Sequence, residues 1–149
     1  MTTCLHKILR EEDNMRAATN AGTRMHEMLQ RVIIGDEITR GDADLIAKIK
    51  ACENAAFYFH PTSKTEVPIA GTIGGKFISR RIDRMRIDDT MHQIHILDYK
   101  TDIDTTTRRE KYIAQLKEYA SLMHAIYPDY SIHLAILWTH DWRLEKILK

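Results

Sequence analysis

The sequence predicts an α/β domain: a mixed β-sheet flanked by helices. Three observations carry this. Strand-like runs at about Thr65 to Ile73, Lys76 to Ile87 and His92 to Thr101 follow one another with only turn signals between them. A long helical run then spans about Thr106 to Tyr127. Ser131 to Trp138 follows as a short, mostly apolar strand. Strands joined by hairpins pair antiparallel, whereas a strand reached across a helix pairs parallel. The expected sheet is an antiparallel three-strand meander extended by one parallel strand.

The 149 residues suffice for one domain with a real core, and residues 1–149 are read as a single domain. A content of 44% hydrophobic and 29% charged residues is that of an ordinary soluble chain. The formal net charge of +1 singles out no partner. Two cysteines, Cys4 and Cys52, make neither a disulfide framework nor a four-cysteine metal site, and fit a reducing compartment. Lys7, Arg10, Glu11, Glu12 and Asp13 crowd the N-terminus, which has no signal-peptide apolar core. No apolar run approaches membrane-spanning length. The expected location is the cytoplasm, with no membrane partner.

Residues 1–14 read as a polar connector. Thr19 or Asn20 caps a helix running to about Ile34, with Gly22, Met25, His26, Leu29 and Ile33 on one face. Asp42 caps a second helix that leads to Phe57, with Leu45, Ile49 and Cys52 or Ala56 inward. His60-Pro61-Thr62 breaks the helical pattern. Gly74-Gly75 turns the first strand into the second, and Asp88-Asp89-Thr90 turns the second into the third. On the long helix Tyr112, Leu116, Tyr119, Ala120 and Met123 share a face, and Pro128-Asp129 stops it. The tail from Asp141 to Lys149 is a last strand or a helical turn.

The stretch Ile94 to Asp102 carries the chemistry. Ile94, Ile96, Asp98 and Lys100 alternate, so they share one face of a strand. If the hairpin is centred between Thr90 and Met91, Ile87 faces Ile94, Met85 faces Ile96, and Asp83 faces Asp98. Directly opposed Cβ atoms lie about 4.5–5.5 Å apart, so these carboxylates repel unless a cation lies between them. Two oxygen ligands suit Mg²⁺ or Mn²⁺, with water and substrate phosphate completing the shell. Lys100 lies one step beyond Asp98, placed to neutralise a phosphate or to orient or deprotonate a water.

Ile82-Asp83-Arg84 followed by Ile96-Leu97-Asp98-Tyr99-Lys100-Thr101 resembles the core of the PD-(D/E)xK nuclease superfamily. More narrowly it resembles the RecB/AddA-type nuclease domain at the C-terminus of bacterial double-strand-break repair helicases. Further matches come in order. Gly22-Thr23-Arg24-Met25-His26 is similar to that family's Gly/His helix motif, and Glu66-Val67-Pro68-Ile69 to its acidic strand. Gln115 and Tyr119 fit its Gln-x-x-x-Tyr motif, and Ile136-Leu137-Trp138-Thr139 its closing strand. The match covers about Ala21 to Leu148.

The resemblance implies a restriction-endonuclease-like core and metal-dependent hydrolysis of DNA phosphodiesters. It makes His26, Asp83, Asp98 and the Tyr99 carbonyl ligands of Mg²⁺ or Mn²⁺, and Lys100 the catalytic lysine. Gln115 and Tyr119 would border the site and the DNA path, and Glu66 would support it. DNA is the implied substrate, and a helicase domain or subunit the implied partner. Arg80, Arg81, Arg84, Arg86, Arg108, Arg109, Lys111 and Lys117 are further candidates for phosphate contact, although Arg84 and Arg86 fall on the strand face opposite Asp83. Gly71 to Phe77 is not a phosphate-binding loop: its spacing is one residue short and Phe77 replaces the Ser/Thr, so no nucleotide cofactor is expected. The rival reading is a catalytically inactive nuclease-like module that binds DNA or protein.

Overall fold

A computed structural model describes residues 21–102 and 106–147. The proposed connector, the caps Thr19 and Asn20, and Cys4 lie outside them. Helix α1 covers residues 21–30. A two-strand ribbon follows, β1 (Ile33–Ile34) and β2 (Thr39–Arg40), then α2 (Ala43–Ala51) and a 3-10 turn (Ala56–Phe59). Next come β3 (Lys64–Ile73), β4 (Lys76–Asp88), β5 (Gln93–Lys100), α3 (Thr106–Ile126), β6 (Ser131–Trp138) and β7 (Arg143–Ile147). The five-stranded sheet has the order β3-β4-β5-β6-β7, parallel between β5 and β6 and antiparallel elsewhere. Among the described residues no helix is long and apolar enough to cross a membrane.

The meander, the crossover helix and the parallel strand stand as the sequence predicts. Gly74 and Gly75 have φ of +57° and +78°, the left-handed backbone that a tight two-residue hairpin turn requires. Asp42 caps α2, its Oδ1 accepting from the Leu45 N–H at 3.0 Å. Two helices are shorter than expected. In α1 the N–H groups of Arg31 and Val32 close back on Met28 and Leu29, and Ile33–Ile34 pairs with Thr39–Arg40 instead of continuing the helix. Val32-Ile33-Ile34 is a β-branched run, which suits a strand better than a last helical turn. Helix α2 stops at Ala51, and Asn54 at φ +66° breaks the path toward Phe57. The tail is a strand, β7, paired with β6.

Both faces of the sheet are covered. Against α3, the residues Leu116, Tyr119, Leu122 and Met123 pack on Ile82, Met85, Ile94, Ile96, Ile136 and Trp138. Against α1, α2 and the 3-10 turn, the residues Leu29, Leu45, Ile49 and Phe59 pack on Leu97, Tyr99, Ala135 and Leu137. Strand β6 is buried on both faces, as its apolar run implies. Burying one Leu or Ile side chain contributes about 1.5–3 kcal/mol. Within β4 the alternation breaks. Ile82 and Met85 are three apart yet both pack toward α3. The break falls at Asp83, and the residue facing it on β3, Glu66, has φ +53°. Asp83 alternates with Met85 and Ile87, so the local kink is what turns Ile82 onto the same face.

Candidate functional site

The β4–β5 ladder pairs Ile87 with Ile94 and Met85 with Ile96, as the hairpin register requires, and its last pair is Arg84 with Leu97. Continuing that register sets Asp83 against Asp98. There a side chain takes over from the backbone: Asp83 Oδ2 accepts from the Tyr99 N–H at 2.9 Å. That N–H would otherwise be a buried orphan. What Tyr99 contributes toward Asp83 is thus its N–H, while its ring is fully buried on the opposite face.

Asp83 and Asp98 are both buried, at 9% and 3% exposure. Burial pushes Asp83 up to about 8, with the charge of Asp98 and a hydrogen bond between the two carboxyl groups adding to the rise. The Tyr99 N–H and Lys100 oppose it more weakly. Lys100 Nζ lies 2.8 Å from Asp98 Oδ2. That oxygen is nonetheless buried without a well-directed hydrogen bond, so the ion pair supplies charge but does not satisfy its lone pairs.

Lys100 is held from three sides. Gln115 Oε1 accepts from Nζ at 3.3 Å, the Tyr112 ring lies 4.3 Å below Nζ, and Thr139 donates its N–H to the Lys100 carbonyl at 3.0 Å. Gln115 donates to Tyr119 Oη at 2.9 Å, and Tyr119 donates to the Arg81 carbonyl at 3.3 Å. A polar chain thus runs from Asp98 through Lys100 and Gln115 to Tyr119. Tyr119 is buried in the core, and burial raises its phenol well above the usual range. Its hydroxyl meets Gln115, and only 2% of the residue is exposed.

His26 comes from α1, with Nδ1 3.7 Å from Asp83 Oδ1 and its ring edge-on to Tyr99 at 5.5 Å. Gly22, one turn earlier, permits this approach, since a Cβ there would lie 3.3 Å from Thr101 Oγ1. Glu66 is beside the site but paired with Arg81 at 3.6 Å. Among the other basic candidates, Arg80 pairs with Glu118 and Arg109 with Glu145. Arg86 donates to the Phe57 carbonyl, and Arg84 is fully buried on the far face. Arg108, Lys111 and Lys117 are exposed on α3.

Three residues have places here that the motifs did not assign them. Tyr112 stacks under Lys100 and donates its hydroxyl to Asp102. Tyr112 reads from the sequence as packing, because it shares the apolar face of α3; its position three residues before Gln115 is the signal that could have found it. Asp102 lies two beyond Lys100, in the same alternating series. Arg84 ties α1 to Tyr99.

The donor set suits a divalent cation. Two carboxyl groups are buried side by side, burial and the charge of Asp98 raise Asp83 to about 8, and Asp98 Oδ2 lacks a directed partner. Asp83 and Asp98 could hold such an ion, with His26 nearest as a third donor. Among the described residues no group of three or more His, Cys, Asp or Glu side chains is arranged to hold a metal ion, so water and substrate oxygens would have to fill most of the shell. No protein-family model matches the chain, and no curated protein matches it.

Proposed function

We propose that the chain is a divalent-metal-dependent deoxyribonuclease domain, with a restriction-endonuclease-like core of the RecB/AddA type within the PD-(D/E)xK superfamily. The observation that carries this reading is the grouping of Asp83, Asp98 and Lys100 at one end of an otherwise apolar sheet face, with Lys100 Nζ 2.8 Å from Asp98. A buried carboxyl pair with a lysine beside it is costly for stability and suits a site that sets a cation against an anionic substrate.

The reaction is hydrolysis: a water oxygen bonds to phosphorus, the P–O ester bond breaks, and the leaving alkoxide takes up a proton. A bound Mg²⁺ or Mn²⁺ would acidify water and offset charge on the phosphate. Asp83 and Asp98 are the residues to hold it, with His26 beside them. Lys100 sets an ammonium against the phosphate or the attacking water, where preorganised charge is worth most. Gln115 and Tyr112 fix the direction of Nζ. DNA is the substrate of this reading, and a helicase domain or subunit the partner that would deliver it.

The test is incubation with linear single- and double-stranded DNA, with Mg²⁺ or Mn²⁺ and with chelator. Metal-dependent cleavage is expected from the wild type and not from Asp98→Ala or Lys100→Ala. A second reading has its own support. Lys100 is already engaged by Asp98 and Gln115, and no complete cage of ligands exists among the described residues. A nuclease-like module that only binds DNA or protein would retain DNA in a shift assay and leave it intact, with the variants behaving as wild type.

A further inference from the structure

Arg84 is fully buried, at 1% exposure, and makes five hydrogen bonds, none to a carboxylate. Nε donates to Tyr99 Oη at 2.8 Å and Nη1 to Ser63 Oγ at 2.7 Å. Nη2 faces the carbonyls of Leu29, Gln30 and Val32 at 3.0–3.1 Å. The guanidinium also lies 4.4 Å over the Phe59 ring. An apolar side chain would fill this volume without the cost of a buried charge, so the charge needs another explanation.

Its partners supply one. The carbonyls belong to the last turn of α1 and the residues just after it, where a helix leaves acceptors unpaired. Tyr99 belongs to β5 and sits between Asp98 and Lys100. Arg84 itself follows Asp83 on β4. One planar group therefore joins the helix that carries His26 to both strands that carry the carboxylates. Apolar packing of Leu29 and Val32 holds the layers together but is non-directional and sets no register. The five fixed donors of a guanidinium do set one.

We infer that Arg84 is a positioning residue for the metal site: by clamping the carboxyl end of α1 to Tyr99, it sets the distance between His26 and Asp83. This rests on the metal-site reading above. Arg84 makes no side-chain hydrogen bond to either carboxylate of the pair, and the effect assigned to it is the placement of His26 against Asp83.

The experiment is a double-mutant cycle in the folded, metal-free protein. Arg84→Lys keeps the charge but cannot reach Tyr99 and the three carbonyls together. Mn²⁺ affinity by calorimetry should fall about tenfold in Arg84→Lys, the usual scale for a residue supporting a ligand. In a His26→Ala background the same substitution should cause no further loss. The nuclear Overhauser contact between the His26 and Tyr99 rings should weaken in Arg84→Lys. Full additivity of the two substitutions, or an unchanged ring contact, overturns the proposal: a residue needed only for stability would lower the melting temperature and leave both untouched. If Arg84→Lys does not fold, Tyr99→Phe replaces it, cutting the clamp at its β5 end, with the same expectations for affinity and ring contact. If the wild type binds no Mn²⁺, the metal-site reading fails on its own, and the ring contact still decides whether Arg84 positions His26.

Discussion

Asp83 accepts a hydrogen bond from the Tyr99 backbone N–H at 2.9 Å. This contact replaces the next rung of the β4–β5 ladder, whose last pair is Arg84 with Leu97. The same carboxyl group thus closes the sheet and faces Asp98. Removing it has two separable consequences, one for stability and one for charge.

Asp83→Asn keeps an acceptor for the Tyr99 N–H and removes the charge. Because burial and Asp98 raise Asp83 from an ordinary 3.8 to about 8, the native state holds a proton that the unfolded chain has lost between those values. Stability from this group is therefore full below about pH 4 and is lost as pH rises toward 8. Melting temperatures of metal-free wild type should fall across that range, and those of Asp83→Asn should fall less. Asp83→Ala, which orphans the N–H, should be less stable than Asp83→Asn by about 1–3 kcal/mol. Parallel profiles for wild type and Asp83→Asn would refute the assignment.

Mn²⁺ should stabilise the wild type most at the alkaline end, where Asp83 is ionised. At a hundred times its dissociation constant, a ligand specific for the native state contributes about 2.7 kcal/mol. The shift in melting temperature should vanish in Asp98→Ala. A shift of equal size in that variant would place the metal elsewhere.

Lys100→Ala should lower DNA cleavage by about a hundredfold or more, the scale for loss of a preorganised charge. Mn²⁺ binding should not weaken, because the ammonium beside Asp98 Oδ2 competes with a cation for that oxygen. Weaker Mn²⁺ binding in this variant would show that Lys100 supports the carboxylates instead of acting on the substrate.

Gln115→Leu should slow cleavage more than Tyr119→Phe does. Gln115 bonds Lys100 directly, whereas Tyr119 reaches it only through Gln115. Equal losses at unchanged melting temperature would mean that Tyr119 meets the substrate itself.

Much of this protein is determined by local sequence. Two glycines with left-handed backbone fix one hairpin, Asp88-Asp89-Thr90 the next, and alternation of Ile94, Ile96, Asp98 and Lys100 fixes which side chains share a face. Those signals are short-range, so the register that sets Asp83 against Asp98 is legible before any tertiary contact is known. The C-terminal ends of α1 and α2 are not, because β-branched Val32-Ile33-Ile34 and Asn54 divert chains whose apolar spacing still looks helical. Only the tertiary structure decided the rest. Alternation places Arg84 on the face opposite Asp83, but only the closing of α1 over β5 buries it among carbonyls. Tyr112 reads as packing until α3 crosses the sheet and brings its ring under Lys100. Both depend on how layers distant in sequence dock, which apolar periodicity constrains by face and leaves open in register.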